Sequence, residues 1–177
     1  MNFIKRCFPD RREVTIVFSA AVFAVVTWAV RSFIYKFPAF ILYYGVWDLF
    51  SILAYLLTFA LLESLLVTAL IVGLAVLLPG SWLRQGFAYK GFLTVLAAAV
   101  ATIYIKETMT NQPTVKFLAT AFGTAFAIWI GLLLLAHFWL PLRRIVLDLA
   151  DRISIFLYIY LPLGLVSVSV VLIRLIW

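Results

Sequence analysis

The chain has 177 residues, of which 67% are hydrophobic and 12% are charged, and its mean hydropathy is +1.18. A soluble domain needs a far more polar surface, so this composition excludes a soluble fold. The formal net charge of +7 would suggest nucleic acid binding in a soluble protein. Here the basic residues flank apolar stretches, where insertion into a bilayer with anionic headgroups explains them. The sequence therefore predicts an integral membrane protein that binds no nucleic acid.

Five apolar stretches are long enough to cross a hydrocarbon core ~30 Å thick, which takes about 20 helical residues. Charged residues, proline and glycine delimit these stretches. The predicted spans are 14–32, 46–78, 87–105, 115–140 and 154–176. Since the connections are short, we expect residues 1–177 to form a single all-α domain, a bundle of five transmembrane helices with short loops.

The basic residues favour one orientation of this bundle. Most of the 14 Lys and Arg residues fall on the side of the N-terminus, and retained positive charge marks the side that was not translocated. We therefore expect the N-terminus in, the C-terminus out, and a multi-pass protein of the cell inner (cytoplasmic) membrane. The first span is expected to be retained, because no small-residue cleavage site closes it before Arg31. The basic residues on the inner side are Lys5, Arg6, Arg11, Arg12, Arg84, Lys90, Arg143, Arg144 and Arg152.

The second span, 46–78, is longer than a bilayer requires. An unbroken helix of this length extends about 50 Å, some 20 Å more than the core. We expect it to project on the outer side rather than break, because that end carries Trp47 and Asp48 and follows an aromatic stretch. Pro38 and Gly45 predict that this aromatic stretch is a short interfacial segment between spans one and two.

Residues 142–153 form an amphipathic pattern just before the fifth span. Apolar residues lie on one side of a helix, while Arg144, Asp148 and Arg152 follow at i, i+4 spacing on another. One interpretation is a separate helix at the inner membrane surface. The other is that the segment is the cytoplasmic end of span five itself, with Pro162 kinking a longer helix.

Small residues recur at every fourth position of span four, which aligns them on one ridge of a helix. Such a ridge permits close approach of a second backbone, a common means of helix association in lipid. We expect the ridge to pack against span three or five within the chain, with an oligomer interface as the alternative. Its members are Ala119, Gly123, Ala127 and Gly131.

Glu63 is the strongest functional candidate. It lies about 25 Å along a straight helix from Val46 and ~23 Å from Leu78, too deep to reach either surface easily. An ionised carboxylate at that depth costs several kcal/mol, so such residues indicate a buried partner or a route for protons or cations. We expect first a structural role, in which a protonated Glu63 bonds to Ser64, Thr58 or another helix, or pairs with another subunit. Proton or ion transport is the alternative.

Three further polar residues are weaker candidates. Asp48 lies within about 60° of the same helical side as Glu63, with Tyr55 between them, so the three could form a polar stripe. More simply, Asp48 is an acid at a helix start, where the dipole favours it. His137, the sole histidine, is expected to be an interfacial residue rather than a heme, chlorophyll or metal ligand. Cys7 is the only cysteine, so neither an intrachain disulfide nor a cysteine-based metal site is expected.

The sequence contains no catalytic motif of a familiar kind: no nucleophile elbow, no zinc-protease helix motif and no glycine-rich phosphate loop. We therefore expect neither an enzyme nor a metal site, and we predict no cofactor. The abundant deep aromatic side chains leave a bound lipid, quinone or pigment as an open possibility.

These patterns favour a noncatalytic accessory or structural subunit of a larger membrane protein complex, for which an energy-converting assembly is a natural setting. Its expected partners are membrane lipids and other integral membrane subunits. The alternative is a small transporter or proton- or ion-conducting protein that uses Glu63. A membrane-embedded lipid enzyme is the third hypothesis.

Overall fold

The computed structural model describes residues 9–77, 86–108 and 115–176, almost all of them helical. Five helices follow one another: α1 Arg11–Tyr43, α2 Val46–Leu77, α3 Phe87–Thr108, α4 Val115–Phe138 and α5 Leu140–Ile176. Each is long and apolar enough to cross a membrane. The prediction of an all-α chain with five helices able to span a membrane is thereby confirmed. Cys7 and Arg84, which entered the sequence predictions, lie outside the described residues.

Helix α1 is the centre of the bundle and packs against α2, α3 and α5, whereas α4 packs on α3 and α5 at the periphery. The main core joins Val17 and Ala21 of α1 to Phe87 and Phe92 of α3 and to Ala150 of α5. Between helices in lipid, the hydrophobic effect contributes little, so close packing of this kind is what holds the helices together.

Successive helices run antiparallel, so the beginning of α1 and the end of α5 lie at opposite ends of the bundle. Phe23 of α1 and Phe156 of α5 have ring centroids 5.3 Å apart. Towards the far end, Arg174 of α5 lies 3.7 Å from Asp48 at the start of α2.

Two glycines lie at close contacts between helices. A Cβ atom on Gly91 of α3 would lie 2.5 Å from Cγ2 of Val17. On Gly164 of α5 it would lie 3.3 Å from Cδ1 of Leu61. These two positions therefore fix how near α3 and α5 come to their neighbours.

The predicted interfacial segment around Pro38 is wrong as a separate element, because α1 continues through Pro38 to Tyr43. Proline removes one backbone N–H from the helix. Contacts between aromatic side chains along the same stretch support the helix there. Phe33 lies 5.7 Å from Phe37 and 5.9 Å from Phe40, measured between ring centroids. The helix ends one turn later, where Tyr44 donates its N–H to the Phe40 carbonyl.

Helix α5 decides between the two interpretations of residues 142–153. The helix is continuous from Leu140 to Ile176, over 37 residues with Pro162 inside. The amphipathic stretch is therefore the first part of the fifth helix and not a separate element. Arg152 and Asp148 form the expected i, i+4 ion pair at 3.2 Å on its exposed side. Helix α2 is likewise unbroken over Val46–Leu77, as expected.

Candidate functional site: a groove around Glu63

Two clusters of cations and aromatic rings lie at different heights in the bundle, one near each end of α3. In the first, the Tyr89 layer, Arg143 and Lys90 lie 4.9 Å and 5.6 Å from the Tyr89 ring centroid. In the second, the Trp28 layer, Lys106 and Arg31 lie 4.7 Å and 5.2 Å from the Trp28 ring centroid. Along α3, Lys90 and Lys106 are separated by about 24 Å of helix, close to the thickness of a hydrocarbon core.

Glu63 lies between these two layers. It follows Ala60 by one turn of α2, and Ala60 packs against Val22 and Val26 in the middle of α1. Along α2 itself, Glu63 is about 22 Å from Asp48 and ~21 Å from Leu77. The depth predicted from the sequence therefore agrees with the arrangement of the helices.

A groove surrounds Glu63 because α2 and α3 both pack on α1 but scarcely touch each other. Its volume is 340 Å³, and it extends from Leu56 to Val67, about 16 Å or three turns of α2. The Trp28 ring of the Trp28 layer lines one end. Much of the remaining wall consists of small side chains, namely Ala21, Ala24, Ala29, Ala60, Ala98 and Ala99.

The groove is open on the outer surface of the bundle. Glu63 and Phe59 of α2 are exposed along it, as are Ala98 and Thr102 of α3. Among the described residues, Glu63 is the sole titratable side chain that lines it. A carboxyl group thus faces outward from an apolar surface, midway along the helix.

The hydroxyl partners expected for Glu63 are engaged or oriented elsewhere. Ser64 is buried and donates to the Ala60 carbonyl at 2.6 Å. The Thr58 hydroxyl is buried and has no hydrogen-bond partner among the described residues. Over the same described ranges, the Glu63 carboxylate forms neither a hydrogen bond nor an ion pair. The intrachain hydrogen bonds expected for Glu63 are therefore not seen among the described residues.

Asp48 and Tyr55 belong to a different cleft from Glu63. They line a shallow site of 420 Å³ together with Ser51 and Arg174, at the end of the bundle. Asp48 lies in the first turn of α2, in agreement with the simpler prediction of an acid at a helix start. The three residues therefore line two separate sites: Asp48 and Tyr55 share their cleft with α5, whereas Glu63 shares its groove with α3.

Among the described residues, the small-residue ridge of α4 faces largely away from α3 and α5. A Cβ atom on Gly123 or Gly131 would meet nothing within 4 Å, and Ala119 and Ala127 are exposed. The expectation that this ridge packs within the chain is wrong, because α4 turns a different face to its neighbours. On that inward side, Trp129 donates its indole N–H to the Thr94 hydroxyl at 3.1 Å.

His137 lies in α4, one residue before its end at Phe138; its side chain is outside the described residues. Within the part of the chain that the structure describes, no three His, Cys, Asp or Glu side chains are grouped so as to hold a metal ion.

Sequence reasoning identified Glu63 but missed the groove and the Trp28 layer. The available signal was the set of alanines around positions 21–29 and 98–99, spaced so that they could share a face. Comparisons with protein-family models, with curated proteins and with solved structures each find no significant match to this chain.

Proposed function

We propose that this protein is a noncatalytic accessory or structural subunit of a larger membrane protein complex, lying in the cytoplasmic membrane with its N-terminus inside. The observation that carries the proposal is the exposure of Glu63 on the outer surface of α2. A carboxyl group facing lipid at mid-depth is unfavourable whether charged or neutral, since hydrocarbon offers no hydrogen-bond partner. A neighbouring subunit that covers the groove would provide one.

The exposed ridge of α4 gives the proposal a second, independent support. Small residues that face lipid leave a shallow depression along the helix, which allows the backbone of another helix to come close. The ridge and the groove belong to different helices, so the chain presents two separate surfaces of the kind that membrane subunits use to assemble.

Proton or ion conduction is the second candidate, because Glu63 lines an open groove that a small cation could enter. It is less well supported, since Asp48 and Tyr55, the expected path residues, line the other cleft. A relay through the groove would need a second titratable group that the groove itself does not provide.

The test is to tag the C-terminus at the native locus, extract the membranes in mild detergent, and identify proteins that co-purify in stoichiometric amounts. A reproducible set of integral membrane subunits is the expected result. A chain that purifies alone or only with itself would contradict the proposal. Reconstituted proton flux that Glu63→Gln abolishes would replace it with the conducting function.

A further inference from the structure

We infer that the groove around Glu63 binds a single transmembrane helix of a partner subunit that carries a lysine or arginine near its midpoint. The inference rests on the proposed function and names the chemistry of the partner. Three features of the groove lead to it: its charge, its wall and its length.

The charge of the groove selects the chemical character of the occupant. Glu63 is the one titratable group that lines it, and the carboxylate has no ion-pair partner in the described ranges. A basic side chain at the same depth is likewise unfavourable in lipid by itself. Pairing the Glu63 carboxylate with that basic side chain removes both charged groups from contact with lipid. Charge complementarity therefore favours a cationic partner over a neutral one.

The wall of the groove favours a helix over a small amphiphile. Alanines from three helices, including Ala24 of α1, Ala60 of α2 and Ala98 of α3, supply six of its fifteen lining residues. Small side chains allow another backbone to come close, the usual basis of helix association in membranes. The larger side chains Trp28, Leu56 and Phe59 complete the wall.

The length of the groove fits the same occupant. It extends about 16 Å from Leu56 to Val67, or three helical turns, with Glu63 inside this range. Arg31 and Lys106 lie beside the ring of Trp28, which lines one end of the groove. A second cation placed there would be repelled. The basic residue of the partner is therefore expected level with Glu63 and away from the Trp28 layer.

The experiment uses the full chain in lipid nanodiscs, labelled with a donor fluorophore on Cys7, the only cysteine. The probes are synthetic Leu/Ala transmembrane helices about 23 residues long, carrying an acceptor fluorophore and either Lys, Leu or Glu at the midpoint. Energy transfer measured against the mole fraction of peptide gives the dissociation constant for each probe.

We expect the Lys peptide to bind about tenfold more tightly than the Leu peptide, and the Glu peptide to bind worst. Glu63→Gln should reduce the preference for Lys to about twofold or less. Ala98→Leu, which fills the groove and keeps Glu63, should weaken binding of the Lys peptide. Ala127→Leu, the same change on the exposed ridge of α4, is the matched control and should have no effect.

Equal binding of the Lys and Leu peptides, or a Lys preference that survives Glu63→Gln, would overturn the inference. Tighter and Glu63-dependent binding of octadecylamine would also overturn it, by assigning the groove to a lipid-like amine. Glu63-dependent transfer between donor- and acceptor-labelled copies of the chain would overturn it in favour of a second copy.

These outcomes are distinguishable from failure of the proposed function. If native partners co-purify equally well with the wild type, Glu63→Gln and Ala98→Leu, the chain is a subunit but this groove is not where the partner binds. If no partner co-purifies although the Lys peptide binds as expected, the proposed function fails and the chemistry of the groove stands.

Discussion

Gly91 and Gly123 are both glycines within apolar helices, and the structure gives them opposite surroundings. A Cβ atom at Gly91 would lie 2.5 Å from Cγ2 of the buried Val17, whereas one at Gly123 would meet nothing within 4 Å. Valine is branched at Cβ and has little rotamer freedom in a helix, so Val17 cannot easily turn away. The same chemical change should therefore have opposite effects at the two positions.

Gly91→Ala is expected to lower the free energy of unfolding by ~1–3 kcal/mol, because the added methyl overpacks the contact between α1 and α3. Gly123→Ala should leave it unchanged or raise it by up to about 1 kcal/mol, since alanine favours helix more than glycine does. Unfolding in mixed detergent micelles, followed by circular dichroism, measures both. Equal effects of the two substitutions would contradict the packing described here.

Thr58 gives a second prediction, because its buried hydroxyl has no partner among the described residues. Thr58→Val keeps the shape and removes the unsatisfied group, so the free energy of unfolding should rise by about 1 kcal/mol. Thr68→Val is the control, since the Thr68 hydroxyl donates to the Ser64 carbonyl at 2.8 Å. Thr68→Val should therefore not raise the free energy of unfolding in the same assay. A loss of stability on Thr58→Val would show that the hydroxyl is bonded in the membrane.

For Glu63, the sequence predicted some properties of the residue but not others. Its isolation in a long apolar helix identified it as the candidate, and its depth follows from counting residues. Its exposure could not be predicted, because α2 is apolar on all sides and its pattern does not indicate which face is buried. That face depends on where α1, α3 and α5 pack, which no local pattern encodes.

At the scale of whole helices, the prediction that failed is the separate interfacial segment around Pro38, whereas Pro162 was expected inside the fifth span. Pro38 and Pro162 both lie inside continuous helices. A proline breaks a helix in water more readily than in a bundle within lipid, where neighbouring helices and local adjustment satisfy the freed carbonyl group. The five apolar runs themselves were predictable, because span length is dictated by bilayer thickness.

Helix α4 lies at the periphery of the bundle, where it packs mainly on α3 and α5. Its contact with α3 includes the hydrogen bond from the Trp129 indole to the Thr94 hydroxyl, 3.1 Å long. Phe126 lies against the same indole, with ring centroids 5.4 Å apart. This part of the interface should therefore depend on one polar contact and its aromatic support.

Trp129→Phe should lower the free energy of unfolding by ~0.5–1.5 kcal/mol, the usual net value of one hydrogen bond, and should speed hydrogen exchange in α4. Thr94→Val removes the acceptor and should have a similar effect. Because both changes break the same bond, the double variant should lose less than the two single losses added together. Full additivity would show that the bond does not form.

For the whole molecule, the antiparallel order of five helices leaves the start of α1 and the end of α5 at opposite ends. The orientation in the membrane is a prediction from the basic residues, which cluster near the start of α1 and the start of α5. Tyr43, at the end of α1, is 83% exposed and should lie outside. Arg144, near the start of α5, is also exposed and should lie inside.

In a Cys7→Ser background, Tyr43→Cys should react with a membrane-impermeant maleimide on intact cells. Arg144→Cys should react only after the membrane is permeabilised. The Cys7→Ser protein itself is the unlabelled control. The reverse labelling pattern would show that the orientation of the bundle in the membrane is inverted, with its internal arrangement unchanged.

The central claim is that another membrane protein covers the groove around Glu63, and crosslinking inside the native membrane tests it most directly. A photoreactive amino acid would replace Ala98 in the groove wall and, as a control, the exposed Leu172 of α5. After irradiation, the Ala98 position should give a discrete adduct with an integral membrane protein whose transmembrane segment carries a lysine or arginine near its midpoint. Adducts with lipid alone at Ala98, as at Leu172, would contradict the account.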